Sequence, residues 1–100
     1  MNLTQAQQER LYLLVEEAAE VQHIVSKILR HGYESYNPFD KEKKKNIFLL
    51  EKELGDLMFA IHFLASERDI DLNNVDVHKQ EKRNTIQRYL HFNKLSIESK

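Results

Sequence analysis

The sequence predicts an all-α fold, an antiparallel helical hairpin followed by a third helix. Only two glycines and one proline occur in 100 residues, so helix breakers are scarce. Apolar residues recur three and four apart in two long stretches, and strand-like alternation is nearly absent.

The first helix opens at Thr4, which with Gln7 has the spacing of a capping box. Leu11, Leu14, Ala18, Val21, Val25 and Ile28 then follow at helical intervals up to Gly32. Residues 31–40 carry Gly32, Asn37 and Pro38, which is turn chemistry, and Asp40 can cap what comes next. A tight hairpin is expected there, with Lys41 to Lys45 as the polar opening of the second helix. That helix has Ile47, Leu50, Leu54, Leu57, Ile61 and Leu64 on one stripe. Phe48, Phe59 and Phe63 widen its apolar surface beyond one face, which predicts a partner helix or subunit. Residues 69–74 interrupt the pattern. A third helix is expected over about 76–91, its thinner apolar side made by Val77, Ile86, Tyr89 and Leu90, with a loose tail after Asn93.

The length suits one domain, 1–100, with a hydrophobic content of 41% that supports a small core and makes oligomerisation helpful. A formal charge of -1 provides no global attraction to a nucleic acid polymer or an anionic membrane, so any phosphate binding must be local. Cysteine is absent, which excludes disulfides and thiolate metal sites and leaves oxygen or imidazole as ligands. No run has the length of a membrane span, and the first ten residues lack the apolar centre of a signal peptide, so a cytoplasmic location is expected.

Two acidic clusters lie inside the most hydrophobic stretches: Glu16, Glu17 and Glu20 in the first helix, Glu53 and Asp56 in the second. Glu17 with Glu20, and Glu53 with Asp56, are three apart and share a helix face. In an antiparallel hairpin, residues equidistant from the midpoint lie level. Positions 20 and 53, and likewise 17 and 56, are equidistant from a point between Tyr36 and Asn37, inside the turn. Packed helices lie about 8–10 Å apart, so opposed carboxylates can share a cation. The competing explanation is a solvated surface paired with lysine or arginine. Against it, the i±4 neighbours of Glu17 are Leu13 and Val21, those of Glu20 are Glu16 and Ile24, and only Asp56 has a local basic partner, Lys52. Gly55, between the two acids, costs about 1 kcal/mol relative to alanine in a helix, which suggests room for close helix approach or a ligand.

Glu-Glu-x-x-Glu in one helix, followed after a turn by Glu-x-x-Asp in the next, resembles the signature of the MazG-like, all-α nucleoside triphosphate pyrophosphohydrolases. The resemblance covers most of the chain and implies a single MazG-like helical bundle completed by oligomerisation, as a homodimer or homotetramer. It also implies a hydrolase that cleaves the α–β phosphate bond of a nucleoside triphosphate to give nucleoside monophosphate and pyrophosphate. Mg²⁺, with Mn²⁺ as a substitute, would be held by Glu17, Glu20, Glu53 and Asp56. Glu16 would orient the attacking water, act as its base, or support an additional ion.

Substrate contacts are expected from Lys27 and Arg30, which with His31 end the first helix, although compensation of the helix dipole explains these cations as well. Lys82 and Asn84 of the third helix are further candidates, and an ordinary solvated face accounts for them equally. Tyr33, Tyr36 and Phe39 can stack on a base or pack beneath the hairpin. Two other functions remain open. A non-catalytic helical interaction protein would use the apolar stripe as its binding surface. A di-iron carboxylate bundle is suggested by Glu20-x-x-His23, but the second helix has Phe59 three residues before His62, so the motif does not repeat.

Overall fold

The computed structural model describes residues 2–95. It contains helices α1 (Gln5–His31), α2 (Asn46–Ser66) and α3 (Leu72–Ile86), then a 3₁₀ turn over Gln87–Tyr89. The chain divides into two compact units at Ile70, the first holding α1 and α2 and the second α3 and the 3₁₀ turn.

The start of α1 follows from local chemistry. Thr4 Oγ1 accepts the Gln7 N–H at 3.0 Å, and Gln7 Oε1 accepts the Thr4 N–H at 2.9 Å, so two otherwise orphaned donors are satisfied. At the other end, Gly32 adopts φ 90° and donates its N–H to Ile28 O at 2.7 Å. That positive φ is strained for residues with a Cβ, and glycine relieves it.

The connection to α2 is longer than the tight turn expected, and Lys41 to Lys45 lie outside the helix. Asp40 does not cap α2. Its carboxylate instead accepts the N–H groups of Glu42 at 3.1 Å and Lys44 at 2.9 Å, closing a turn on itself, with Lys43 at φ 51°. An isolated antiparallel bridge between Tyr36 and Lys45 ties the loop's two arms together. Helix α2 starts where the loop returns to the end of α1. The N–H groups of Asn46 and Ile47 donate to Ser35 O at 2.8 Å and Tyr33 O at 2.9 Å, while Asn46 Nδ2 donates to Gly32 O at 3.0 Å. Asn46 is the buried polar side chain that fixes this junction.

Between the helices the buried apolar residues, among those described, are Ile24, Ala60 and Leu64. Leu14, Ala18, Val21, Ile28, Leu50, Leu57 and Ile61 are half-buried around them. Other members of the predicted stripes, Leu11, Val25 and Leu54, remain exposed. So do Tyr12, Val15, Phe48, Met58 and Phe59. At the open end of the hairpin, Arg10 forms a two-point contact with Asp69, Nε to Oδ2 at 2.6 Å and Nη2 to Oδ1 at 3.1 Å. Its guanidinium also lies 5.8 Å from the centre of the Phe63 ring. The start of α1 is thereby fastened to the segment that leaves α2.

Helix α3 begins earlier than expected, because Asp71 caps it by accepting the Asn73 N–H at 2.8 Å. The interruption between α2 and α3 therefore spans Glu67 to Asp71, with Arg68 at φ 65°. The helix also ends earlier, at Ile86. Gln87 then holds the following segment, donating to Asn93 O at 2.6 Å and accepting the Leu95 N–H at 2.7 Å. The first residues of the tail expected to be loose are thus tied down, and positions 96–100 lie outside the described residues. No helix among the described residues is long and apolar enough to cross a membrane.

Candidate metal centre and adjoining cleft

Helical spacing puts Glu53 and Asp56 on one side of α2, and Glu17 meets them from α1. One carboxylate oxygen from each of these three residues lies within 4.8 Å of the others. All three residues are half-buried at the edge of the apolar seam, so part of the solvent is kept from them. Burial therefore pushes the Glu17 carboxyl above the ordinary range, and the negative charges of Asp56, Glu16 and Glu53 push it further. Lys52 opposes that shift.

The donor set is made of carboxylate oxygens alone, which suits a hard cation. Around Mg²⁺, oxygens lie at about 2.1 Å from the ion and thus at most about 4.2 Å from each other. A spread of up to 4.8 Å needs only a small inward adjustment of flexible side chains to reach that geometry, so the residues fit such an ion.

The rung expected between Glu17 and Asp56 is present, but Glu53 converges on the same point instead of pairing with Glu20. Glu20 is exposed and is not among the three converging carboxylates. Glu16 is also exposed, one residue from Glu17 and near enough for its charge to be felt there. Lys52 has a larger part than its spacing suggests. Its Nζ lies 2.9 Å from Asp56 Oδ2 and 3.2 Å from Glu53 Oε1. Contact with the adjacent residue runs against the usual geometry of a helix surface, where neighbours in sequence diverge, and so only the Asp56 pair was evident from spacing.

Gly55 does not mark a close approach within the hairpin, since a Cβ built there would meet no heavy atom within 4 Å. His23 and His62 are both exposed, and the converging group contains no imidazole.

A cleft of about 320 Å³ opens in the same unit, between the last turns of α1, the loop and the start of α2. It is lined by Lys27, Arg30 and His31, by Ser35, Tyr36, Asn37 and Pro38, and by Asn46 and Leu49. Lys27 lies ten residues beyond Glu17, which at the helical rise is about 15 Å along α1. The contributions of Ser35 and Asn46 were not legible beforehand, because they depend on the path of the loop. Lys82 and Asn84 stand on α3 in the second unit, both exposed.

Comparison with protein families matches residues 5–89 to the model described as the MazG nucleotide pyrophosphohydrolase domain. No curated protein and no solved structure matches the chain.

Proposed function

We propose that this chain, which belongs to the MazG nucleotide pyrophosphohydrolase domain family, is a Mg²⁺-dependent nucleoside triphosphate pyrophosphohydrolase. The observation that carries the reading is the convergence of Glu17, Glu53 and Asp56 from two facing helices onto one point. Three carboxylates so close repel one another, and a divalent cation relieves that repulsion while adding its own affinity for phosphate oxygens.

Glu17, Glu53 and Asp56 would hold the ion, and Glu20 would join them by a change of side-chain rotamer. When bound, Mg²⁺ supplies charge neutralisation at the phosphates and acidifies a coordinated water. Glu16 is suited to orient the attacking water or take its proton. Water adds at phosphorus, the α–β bridge bond breaks, and the products are nucleoside monophosphate and pyrophosphate. Mn²⁺, which takes similar oxygen ligands, is expected to substitute.

Lys27 and Arg30 line the cleft at the end of α1, where their positive charges would contact the substrate's phosphates. Tyr36, on the same wall, offers a ring face to a base. Lys82 and Asn84 are proposed as further substrate contacts. The exposed apolar side chains of α1 and α2, among them Tyr12, Val15, Met58 and Phe59, support assembly into a homodimer or homotetramer, in the cytoplasm. The same exposed side chains are the observation behind a second reading, a helical interaction protein without catalysis.

The reading is tested by incubating the protein with a panel of nucleoside triphosphates and diphosphates and Mg²⁺, and separating the products. Monophosphate and pyrophosphate in equal amounts from at least one triphosphate is the expected result. Orthophosphate in place of pyrophosphate would point to a different bond, and no product from any nucleotide would favour the interaction protein.

A further inference from the structure

We propose that Lys52 is a resident counter-cation of the carboxylate site, whose ammonium competes with the divalent ion for the same oxygens and must swing away when that ion binds. The inference rests on reading Glu17, Glu53 and Asp56 as a metal site.

The geometry is specific. Lys52 Nζ is within hydrogen-bond distance of two of the three converging carboxylates, 2.9 Å from Asp56 and 3.2 Å from Glu53. The other lysine ion pairs on this hairpin and its loop, Lys45 with Glu34 and Lys44 with Glu42, each engage a single acid. The Lys52 ammonium thus bridges its i+4 partner Asp56 and the adjacent Glu53. Residues adjacent in a helix ordinarily diverge, so the second contact is consistent with attraction by both negative charges.

An ammonium donates to lone pairs that a metal ion would have to coordinate. Both cannot use the same oxygens, and two cations about 3 Å apart would repel strongly. The side chain is 58% exposed, and its four-carbon stem allows the head to move into solvent without disturbing the core. Three carboxylates and one ammonium leave a formal charge of -2 on the quartet, and a divalent ion in place of the ammonium would lower the excess to -1, so the exchange improves the charge balance. Lys52 thus acts as a threshold, holding the acids together while a cation of higher charge density can still displace it.

The test is calorimetric titration of the full chain with MgCl₂ near neutral pH, without nucleotide, for the parent, Lys52→Met and Lys52→Arg. Lys52→Met is expected to bind Mg²⁺ about fivefold more tightly, the effect of removing one competing cation from a partly solvated site, while Lys52→Arg stays within about twofold of the parent. In EDTA the thermal midpoint of Lys52→Met should fall below that of the parent, and its rise on adding Mg²⁺ should be larger. Lys52→Gln, which keeps a polar head, serves in place of Lys52→Met should the latter not fold. Equal or weaker Mg²⁺ binding by the folded neutral variant overturns the role of Lys52 and leaves the metal site standing. Absence of Mg²⁺ binding in both parent and neutral variant overturns both.

Discussion

Glu17 on α1 and Asp56 on α2 bring carboxylate oxygens within 4.8 Å of each other across the hairpin, with Glu53 in the same group. Burial and the neighbouring acids hold the Glu17 carboxyl above its ordinary pKa. A carboxyl raised in the folded state binds its proton more tightly there than in the unfolded chain. Its favourable contribution is therefore complete below the unfolded value, about 4.3, and is lost as pH rises through the folded one. In EDTA, Glu17→Gln should be more stable than the parent at neutral pH, and the two should converge on acidification below that unfolded value. Thermal denaturation across pH checks this. A variant that is less stable than the parent at neutral pH without divalent ions would remove the repulsion on which the site depends.

Arg10 and Asp69 titrate in the opposite sense. The guanidinium beside Asp69 holds its carboxyl below the ordinary range, so this contact stabilises the fold above the unfolded value near 3.9 and is lost as pH falls through the lower, folded pKa. Asp69→Asn should lower the thermal midpoint at neutral pH, and that deficit should shrink as the solution is acidified. A deficit independent of pH would mean that the ion pair adds nothing beyond its hydrogen-bond geometry.

Asn46 joins the loop to α2 through a buried side chain whose Nδ2 donates to Gly32 O. Asn46→Ala removes that donor and leaves a carbonyl at the helix end short of a partner, a loss of about 1–3 kcal/mol. Urea unfolding should show the loss as a lower midpoint with an unchanged slope. Because Asn46 also lines the cleft, the variant should weaken nucleotide binding more than Mg²⁺ binding.

Gly55 is a helical position with open space around the site of a Cβ. Gly55→Ala should therefore stabilise the isolated chain by about 1 kcal/mol. If the added methyl also reduces turnover or assembly, the glycine serves a bound substrate or a second copy. Stabilisation with unaltered turnover and assembly would show that no ligand or subunit needs the space.

Local rules made much of this legible. The Thr4 and Gln7 cap, the two long apolar stripes and the level pairing of Glu17 with Asp56 all depend on spacing along a helix. What escaped depends on tertiary context. Asp40 has the identity of a cap, but its oxygens are taken by Glu42 and Lys44 inside the loop, and the true start of α2 is set by carbonyls returning from Tyr33 and Ser35. Asp71 caps α3 from within the stretch 69–74, where the apolar periodicity that marks a helix lapses. The Lys52 contact with Glu53 was hidden because sequence neighbours on a helix ordinarily diverge. Arg10 and Asp69 are 59 residues apart, and nothing in their local sequence pairs them.

Whether the converging carboxylates hold a divalent ion for cleavage of a nucleotide is decided by pyrophosphate release from the best triphosphate of the panel, measured for the parent and for Glu53→Gln with Mg²⁺ and with EDTA. The parent should release pyrophosphate with Mg²⁺ and none in EDTA, and Glu53→Gln should lose about a hundredfold, with helical content unchanged. Release that persists in EDTA, or a Glu53→Gln variant as active as the parent, would contradict that role of the carboxylates.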